Sequence, residues 1–142
     1  MTALIIDTSV TMAWCFGTQA TSYTRAAREL AARRGAIVPS LWLYEVTNVL
    51  VLARRKRALT ADQVSGFLDL LRRLKLQVEA PAPDQVFEEA YALAEQHRLT
   101  AYDAAFLELA RRYHLPLATT DQALALAARA ERLFFEPASE TA

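Results

Sequence analysis

The sequence alternates short apolar runs of strand length with longer segments in which apolar residues recur at helical spacing. The first run, residues 3–6, reads Ala-Leu-Ile-Ile and leads into Asp7 and a predicted turn. Further strands are predicted at residues 36–38, 76–78 and 115–119, with a candidate last strand at 133–135. Helices are predicted over residues 20–34, 41–56, from 60, from 84, 101–113 and about 122–130. Alternating strands and helices favour a parallel sheet with helices on both faces, so we predict the α/β fold class.

The length and composition fit a single folded domain. A chain of 142 residues lies within the roughly 100–200 residues usual for one domain. Apolar residues make up 54% and charged residues 23%, proportions that exclude a disordered chain. We expect one domain over residues 1–136 and a short C-terminal tail over 137–142. The 16 basic and 16 acidic residues give zero net charge, which taken alone disfavours a nucleic-acid-binding protein.

The single cysteine and the two histidines limit the disulfides and metal sites that the chain could form, and its apolar runs indicate whether it could span a membrane. A single cysteine, Cys15, cannot form an intrachain disulfide, and His97 and His114 are not spaced as a metal-ligand pair. The longest apolar run, at 123–128, has six residues against the roughly 20 that span a membrane. The N-terminus has no basic region of the kind that opens a secretory signal. We therefore expect a cytoplasmic protein that is not bound to a membrane.

Four carboxylates lie at positions that this topology is expected to bring together in one site. Asp7 follows the first strand, and Asp121 follows the strand at 115–119. Ligands of open parallel sheets bind at the carboxyl ends of the strands, so both acids are expected at one edge. Asp103 lies in the first turn of the helix at 101–113, and Glu45 is the only charged side chain from 41 to 53. A buried carboxylate needs a compensating cation or a shifted pKa, which makes Glu45 the most unusual of the four.

Each acid also has a purely structural explanation. Asp7 could hydrogen-bond its own turn, and Asp121 could cap the helix that follows it. Asp103 together with Thr100 fits a capping pattern at a helix N-terminus. Glu45 could lie at a gap in the packing, where it reaches solvent or pairs with an arginine. The predicted topology brings the strand-exit acids and the helix-buried acid to the same place, which favours the interpretation that they form one shared site.

Carboxylates gathered in one site imply a cation. Like charges within a few ångströms repel, so some must become protonated or bind a positive ion. An all-oxygen ligand set suits Mg²⁺ or Mn²⁺, and such an ion supports the hydrolysis of phosphodiester bonds by a metal-activated water. Setting the four acids aside leaves 12 acidic against 16 basic residues. The zero net charge is then compatible with an RNA substrate around an acidic centre.

Four stretches of the chain resemble a PIN domain, and more closely the VapC-type toxins of bacterial toxin–antitoxin pairs. They are Ile5-Ile-Asp7-Thr-Ser9, Pro39 through Trp42-Leu-Tyr-Glu45-Val-Thr-Asn48, Leu99-Thr-Ala-Tyr-Asp103-Ala and Leu117-Ala-Thr-Thr-Asp121-Gln-Ala-Leu124. The resemblance covers essentially the whole chain. It implies a three-layer α/β/α sandwich with a central, mainly parallel sheet, and endoribonuclease activity that depends on Mg²⁺ or Mn²⁺. It also implies a homodimer and a cognate antitoxin protein that blocks the site.

The resemblance also implies roles for individual residues. Its acidic quartet matches Asp7, Glu45, Asp103 and Asp121. Its supporting polar positions match Ser9, Asn48 and Thr119. We expect Asp7, Asp103 and Asp121 to hold the metal, while Glu45 completes the shell or orients the attacking water. Some members carry a further acid just beyond the fourth, but Gln122, Ala123 and Leu124 stand there, which leaves a second metal site in doubt.

The densest basic cluster is a candidate RNA contact. It consists of Arg54, Arg55, Lys56 and Arg57. The alternative is a solvated helix C-terminus, where cations suit the helix dipole. Tyr102 or Trp14 could stack on an unpaired base, or could support the fold instead.

The helix from 41 to 53 is apolar nearly all round. A helix of this kind is either fully buried or pressed against a partner. We expect part of it in a homodimer interface, together with residues of the helix at 20–34.

These features predict a metal-dependent endoribonuclease, the toxin of a VapBC-type pair that inhibits translation by cutting tRNA or rRNA. The alternatives are a non-toxin PIN nuclease of RNA processing and a non-catalytic PIN-like module that binds RNA or protein. An aspartate-dependent phosphatase fits poorly, because Ser9 stands where a second aspartate is needed. A receiver domain fits poorly too, because Lys75 precedes a strand instead of following a late one.

Overall fold

The computed structural model describes residues 2–138, and a four-stranded sheet lies at the centre of this part of the chain. The strands are β1 (Leu4–Ile6), β2 (Ala36–Pro39), β3 (Leu76–Glu79) and β4 (Leu117–Ala118). They lie in the order β3-β2-β1-β4, and neighbouring strands are parallel. All residues of β1 are completely buried, as expected for an inner strand with helices over both faces. The predicted parallel sheet is confirmed.

Seven α-helices surround the sheet within residues 2–138. They are α1 (Thr8–Cys15), α2 (Ser22–Arg34), α3 (Leu41–Arg55), α4 (Ala61–Arg73), α5 (Tyr91–His97), α6 (Ala101–Tyr113) and α7 (Gln122–Ala130). A 3₁₀ turn at Gly17–Gln19 precedes α2, and a π-helical segment at Gln85–Ala90 runs directly into α5. Helix α1 packs against α2 and α3. Helix α6 contacts three of the strands and also packs against α5 and α7. The fold is the predicted three-layer α/β/α sandwich.

Helix α1 replaces the turn that the sequence predicts after Asp7. The Asp7 carboxylate caps this helix by accepting a hydrogen bond from the Val10 amide at 2.9 Å. Valine and threonine are weak helix formers, so the segment carries little local signal for a helix. The four central residues of α1 are buried, and this packing against α2 and α3 outweighs the weak propensity.

The predicted last strand at 133–135 is wrong: this segment forms only an isolated bridge. Phe134 pairs in parallel with Leu117, and the Phe135 amide donates to the Leu117 carbonyl at 2.9 Å. Because β4 has only two residues, it offers a ladder too short for a full strand beside it. The segment still closes the core, since Phe135 is buried and the Phe134 ring stacks on Tyr23.

The predicted tail at 137–142 lies largely outside the described residues. Pro137 and Ala138 are exposed and have no regular structure, and residues 139–142 are not described. The assignment of one domain to 1–136 stays a prediction. None of the helices within residues 2–138 is long and apolar enough to cross a lipid bilayer.

Helix α3 is buried along one face only. Its core-facing side chains are Trp42, Val46, Leu50 and Ala53. Its opposite face exposes Leu43, Tyr44, Val51 and Leu52. Of the two alternatives for this helix, full burial is therefore wrong, and the favoured contact with a partner stays a prediction.

Candidate functional site

Asp7 lies where β1 ends and α1 begins, at the carboxyl edge of the sheet. Its side chain is only 4% exposed. Oδ1 accepts hydrogen bonds from the Ser9 hydroxyl at 2.7 Å and the Val10 amide at 2.9 Å. Oδ2 accepts one from the Thr119 hydroxyl at 2.5 Å. The carboxylate is thus both a helix cap and a rigidly held group at the strand exit.

Burial dominates the electrostatics of Asp7. Removal from water raises the pKa of this carboxyl to about 6, against the lowering effect of its three hydrogen bonds. The negative charge of Asp103 raises the pKa further. Within residues 2–138, no lysine, arginine or histidine forms an ion pair with Asp7. A positive ion at this place would remove the penalty that burial imposes on the carboxylate.

Thr119 connects Asp7 to the strand exit that carries Asp121. The Thr119 hydroxyl, itself buried, accepts a hydrogen bond from the Asp121 amide at 3.0 Å while it donates to Asp7. The Asp121 carboxylate caps α7 through the Leu124 amide at 2.9 Å, as its structural explanation predicts. Ser9 contributes a second link, since its hydroxyl accepts from the Thr120 amide at 3.0 Å. The structure therefore places Ser9 and Thr119 against Asp7, and their part in catalysis stays a prediction.

Glu45 is half-buried on α3 and is held by a residue that the sequence did not single out. The Thr8 hydroxyl donates to Glu45 Oε1 at 2.7 Å, which connects α1 to α3. Burial raises the pKa of Glu45, the Thr8 hydrogen bond lowers it, and the charge of Asp103 raises it. No arginine pairs with Glu45 in the described part of the chain, so the expected alternative of an arginine partner is wrong. The only sequence signal for Thr8 is its place beside Asp7.

Asp103 interacts with the other predicted acids through its charge. It lies in the first turn of α6, where its amide donates to the capping hydroxyl of Thr100 at 3.1 Å. Burial raises the pKa of its carboxyl, and the charge of Asp121 raises it further. Its own charge raises the pKa values of Asp7 and Glu45. The fold therefore brings Asp103 within electrostatic reach of each of the other three predicted acids.

The four acids fit a hard divalent cation by their chemistry. Carboxylate oxygens are the ligands that Mg²⁺ and Mn²⁺ prefer, and none of the ion pairs within residues 2–138 uses one of these four acids. No three acidic, histidine or cysteine side chains in this range already converge as a metal-binding group. Bound water molecules would link the ion to carboxylates that do not reach it directly, because Mg²⁺ commonly keeps several waters and few protein ligands.

Within the described residues, Asn48 and the basic cluster form no hydrogen bond or ion pair with the four acids. Asn48 is exposed on α3, and within residues 2–138 its side chain makes no hydrogen bond to any of the four acids. Arg54, Arg55, Lys56 and Arg57 are exposed at the C-terminal end of α3. The ten residues from Glu45 to the cluster span about 15 Å of helix. Arg54 also holds the chain turn, by donating to the Leu59 carbonyl at 3.1 Å.

Comparison with known proteins decides the family. A family model described as "PIN domain" matches residues 4–130. The chain belongs to the PIN domain family. The sheet edge that gathers the four acids is thus the carboxyl edge of a PIN domain.

Individual relatives of this PIN domain are consistent with that assignment. Ribonuclease VapC3 of Pyrobaculum aerophilum is 35% identical over 82 residues, which are 58% of this chain and 63% of that protein. The match therefore spans less than two thirds of the relative. PAE2754 of the same organism has the same fold, with a TM-score of 0.63 and 21% identity over 89% of this chain and 84% of that one. A toxin–antitoxin complex from Klebsiella pneumoniae contains a similar chain, with a TM-score of 0.63 and 16% identity over 95% and 98%.

Proposed function

We propose that this PIN domain is a metal-dependent endoribonuclease, the toxin of a VapBC-type toxin–antitoxin pair that inhibits translation. The observation that carries the proposal is the buried Asp7 carboxylate, which lies within electrostatic reach of Asp103 and has no ion-pair partner in the described residues. Uncompensated charge of this kind is costly in a merely structural role. The names of the relatives, a ribonuclease and a toxin–antitoxin complex, support the same class.

Asp7, Asp103 and Asp121 would hold Mg²⁺ or Mn²⁺, and Glu45 would complete the shell or orient the attacking water. When bound, the ion supplies an activated water and offsets charge that develops on the phosphoryl oxygens. Thr119 and Ser9 fix the orientation of the Asp7 carboxylate, and Thr8 fixes Glu45.

The substrate and partners of the proposed enzyme follow from its class. The proposed substrate is tRNA or rRNA, bound in part by the basic cluster from Arg54 to Arg57. The proposed partners are a cognate antitoxin protein that blocks the acidic site and a second copy of the chain. The exposed apolar face of α3 supports a homodimer, because it leaves Leu43, Tyr44, Val51 and Leu52 in contact with solvent. The enzyme would act in the cytoplasm, where its RNA substrates are.

The test is cleavage of labelled RNA by the purified chain with added Mg²⁺ or Mn²⁺. Asp7→Asn and Asp103→Asn should abolish cleavage, because each removes a charged ligand. The matched control is Asp69→Asn, which neutralises an exposed acid whose ion pair in residues 2–138 is with Arg72. Cleavage by both active-site variants at the parental rate would refute the assignment. Metal-independent RNA binding without cleavage by the parent would instead favour the non-catalytic module.

A further inference from the structure

A cavity of about 200 Å³ opens at the carboxyl ends of β2 and β3, between the N-terminal part of α3 and one face of α6. Pro39 and Ser40 line it where β2 ends, and Leu41 lines it at the start of α3. Tyr102 lines it from the first turn of α6. Two of these residues connect the cavity to the acids, since Leu41 is one helical turn before Glu45 and Tyr102 immediately precedes Asp103. An occupant of the cavity would therefore contact the N-terminal parts of α3 and α6, the helices that carry Glu45 and Asp103.

The walls suit one flat apolar group. Apart from Tyr102, the apolar lining includes the rigid rings of Pro39 and Pro81 and the side chain of Val86. The volume is below the roughly 300–1,000 Å³ of pockets for drug-sized ligands, so the cavity holds a single ring system. Tyr102 is 65% exposed although it lines this cavity, which leaves much of the aromatic surface free for a ligand. Exposed aromatic side chains are the usual platforms on which proteins stack the bases of single-stranded RNA.

The charged groups of the cavity disfavour a phosphate and favour a base. Glu108 is buried and receives two hydrogen bonds from Arg112, at 2.9 Å and 3.0 Å. Arg112 also lies 3.8 Å from Glu79, which accepts a hydrogen bond from Tyr113. Two carboxylates against one guanidinium leave a net negative charge, which repels phosphate. Carboxylate oxygens retain lone pairs for the amino group of a base.

We propose that this cavity binds one unstacked nucleobase of the RNA substrate, with Tyr102 stacking on it, and that it selects bases carrying an exocyclic amino group. The inference rests on the proposed nuclease function and adds one base of the RNA that the chain recognises. Tyr102 is a specificity-determining residue in this assignment.

Binding can be tested apart from cleavage in the Asp7→Asn background, where the RNA stays intact. The probe is a single-stranded RNA hexamer carrying the fluorescent base 2-aminopurine at each position in turn, titrated in the presence of Mg²⁺. Stacking should quench the fluorescence at one position. Tyr102→Ala should remove that quenching and weaken binding about tenfold, whereas Tyr102→Phe should keep both. The control Tyr91→Ala removes a similarly exposed ring, 62% exposed and outside the cavity, and should bind like the background.

The amino-group preference has its own comparison. A hexamer with adenosine at the sensing position should bind more tightly than one with purine riboside, which differs only by that amino group. Equal binding of the two hexamers, or unchanged binding and quenching in Tyr102→Ala, would overturn the proposal. Either result would instead favour a side chain of a protein partner as the occupant of the cavity. If the parent cleaves no RNA but the Tyr102-dependent quenching persists, the nuclease function fails and the base site stands. If the parent cleaves RNA and Tyr102→Ala leaves the choice of cleavage site unchanged, the nuclease function stands and the base site fails.

Discussion

The Thr119 hydroxyl donates a 2.5 Å hydrogen bond to the Asp7 carboxylate, which joins two residues 112 positions apart in the sequence. The same hydroxyl accepts from the Asp121 amide, so one buried oxygen orients the exits of β1 and β4 together. This arrangement makes Thr119 the best single place to disturb the site without removing an acid.

Thr119→Val should lower metal affinity and RNA cleavage about 10–100-fold, the usual cost of losing a group that orients a metal ligand. Valine keeps the shape of threonine but cannot donate to Asp7. The measurements are Mn²⁺ binding by calorimetry and the rate of cleavage. Thr119→Ser keeps the hydroxyl and should retain both near the parental level. Parental Mn²⁺ affinity in Thr119→Val would show that the hydrogen bond has no orienting role.

Asp7→Asn should stabilise the metal-free protein at neutral pH. Folding raises the pKa of Asp7 from 3.8 to about 6. The contribution of this carboxyl to the stability of the parent is therefore fully present below about pH 4 and is lost as the pH rises toward 6. Asparagine carries no charge and is still a good helix cap. Urea unfolding in EDTA should show a difference near zero at pH 4 that grows to at most about 3 kcal/mol by pH 7. A variant less stable than the parent at pH 7 would contradict this expectation.

Thr8→Val should reduce cleavage more at pH 6 than at pH 8. The Thr8 hydroxyl lowers the pKa of Glu45 against the raising effect of burial, so its loss leaves more Glu45 protonated at low pH. The pH–rate profile should therefore shift toward higher pH. Thr8→Ser restores the donor and is the matched variant. An equal loss at both pH values would mean that Thr8 acts only through packing.

Val51→Lys should dissociate the proposed homodimer. Val51 lies on the exposed face of α3, and a charge there disfavours an apolar interface. Light scattering after size-exclusion chromatography should give the monomer mass for this variant and the dimer mass for the parent. Leu126→Lys, which places a charge on the exposed face of α7, should remain dimeric. A parent that is monomeric at micromolar concentration would exclude this interface.

Replacing Arg55 and Lys56 by alanine should weaken RNA binding and its salt dependence. Each lost contact with a single-stranded phosphate should reduce the slope of log K against log salt by about 0.7. Arg54 is left in place because it holds the Leu59 carbonyl. The control removes Arg33 and Arg34, which are exposed at the end of α2. The same slope in the variant and the parent would place the RNA elsewhere.

Local patterns were sufficient to predict most of the architecture. The strand run at 3–6 was recognisable because a central parallel strand is apolar on both faces, and β1 is completely buried. The capping residues Thr60 and Thr100 were recognisable because a cap is formed within three residues. Helix α1 was missed, and the isolated bridge at Phe134 was predicted as a full strand, because packing against distant elements decides both.

The two aromatic candidates show the same limit in the site. Trp14 and Tyr102 were equivalent in the sequence, as stacking or fold-supporting residues. In the fold, the Trp14 indole donates to the Thr24 carbonyl at 2.8 Å and supports the packing of α1 on α2. Tyr102 is exposed beside Asp103 and lines the cavity. Exposure and neighbours across the fold separated the two.

The order of residues along the chain was enough to identify the four acids and the sheet topology that sends Asp7 and Asp121 to one edge. Packing in three dimensions decided that the acids act on one another, that burial raises the pKa of Asp7 to about 6, and that Thr8 holds Glu45. The physical reason is that strand and helix patterns are local, whereas desolvation, Coulomb interaction and hydrogen bonds such as that from Thr119 to Asp7 depend on groups far apart in the sequence.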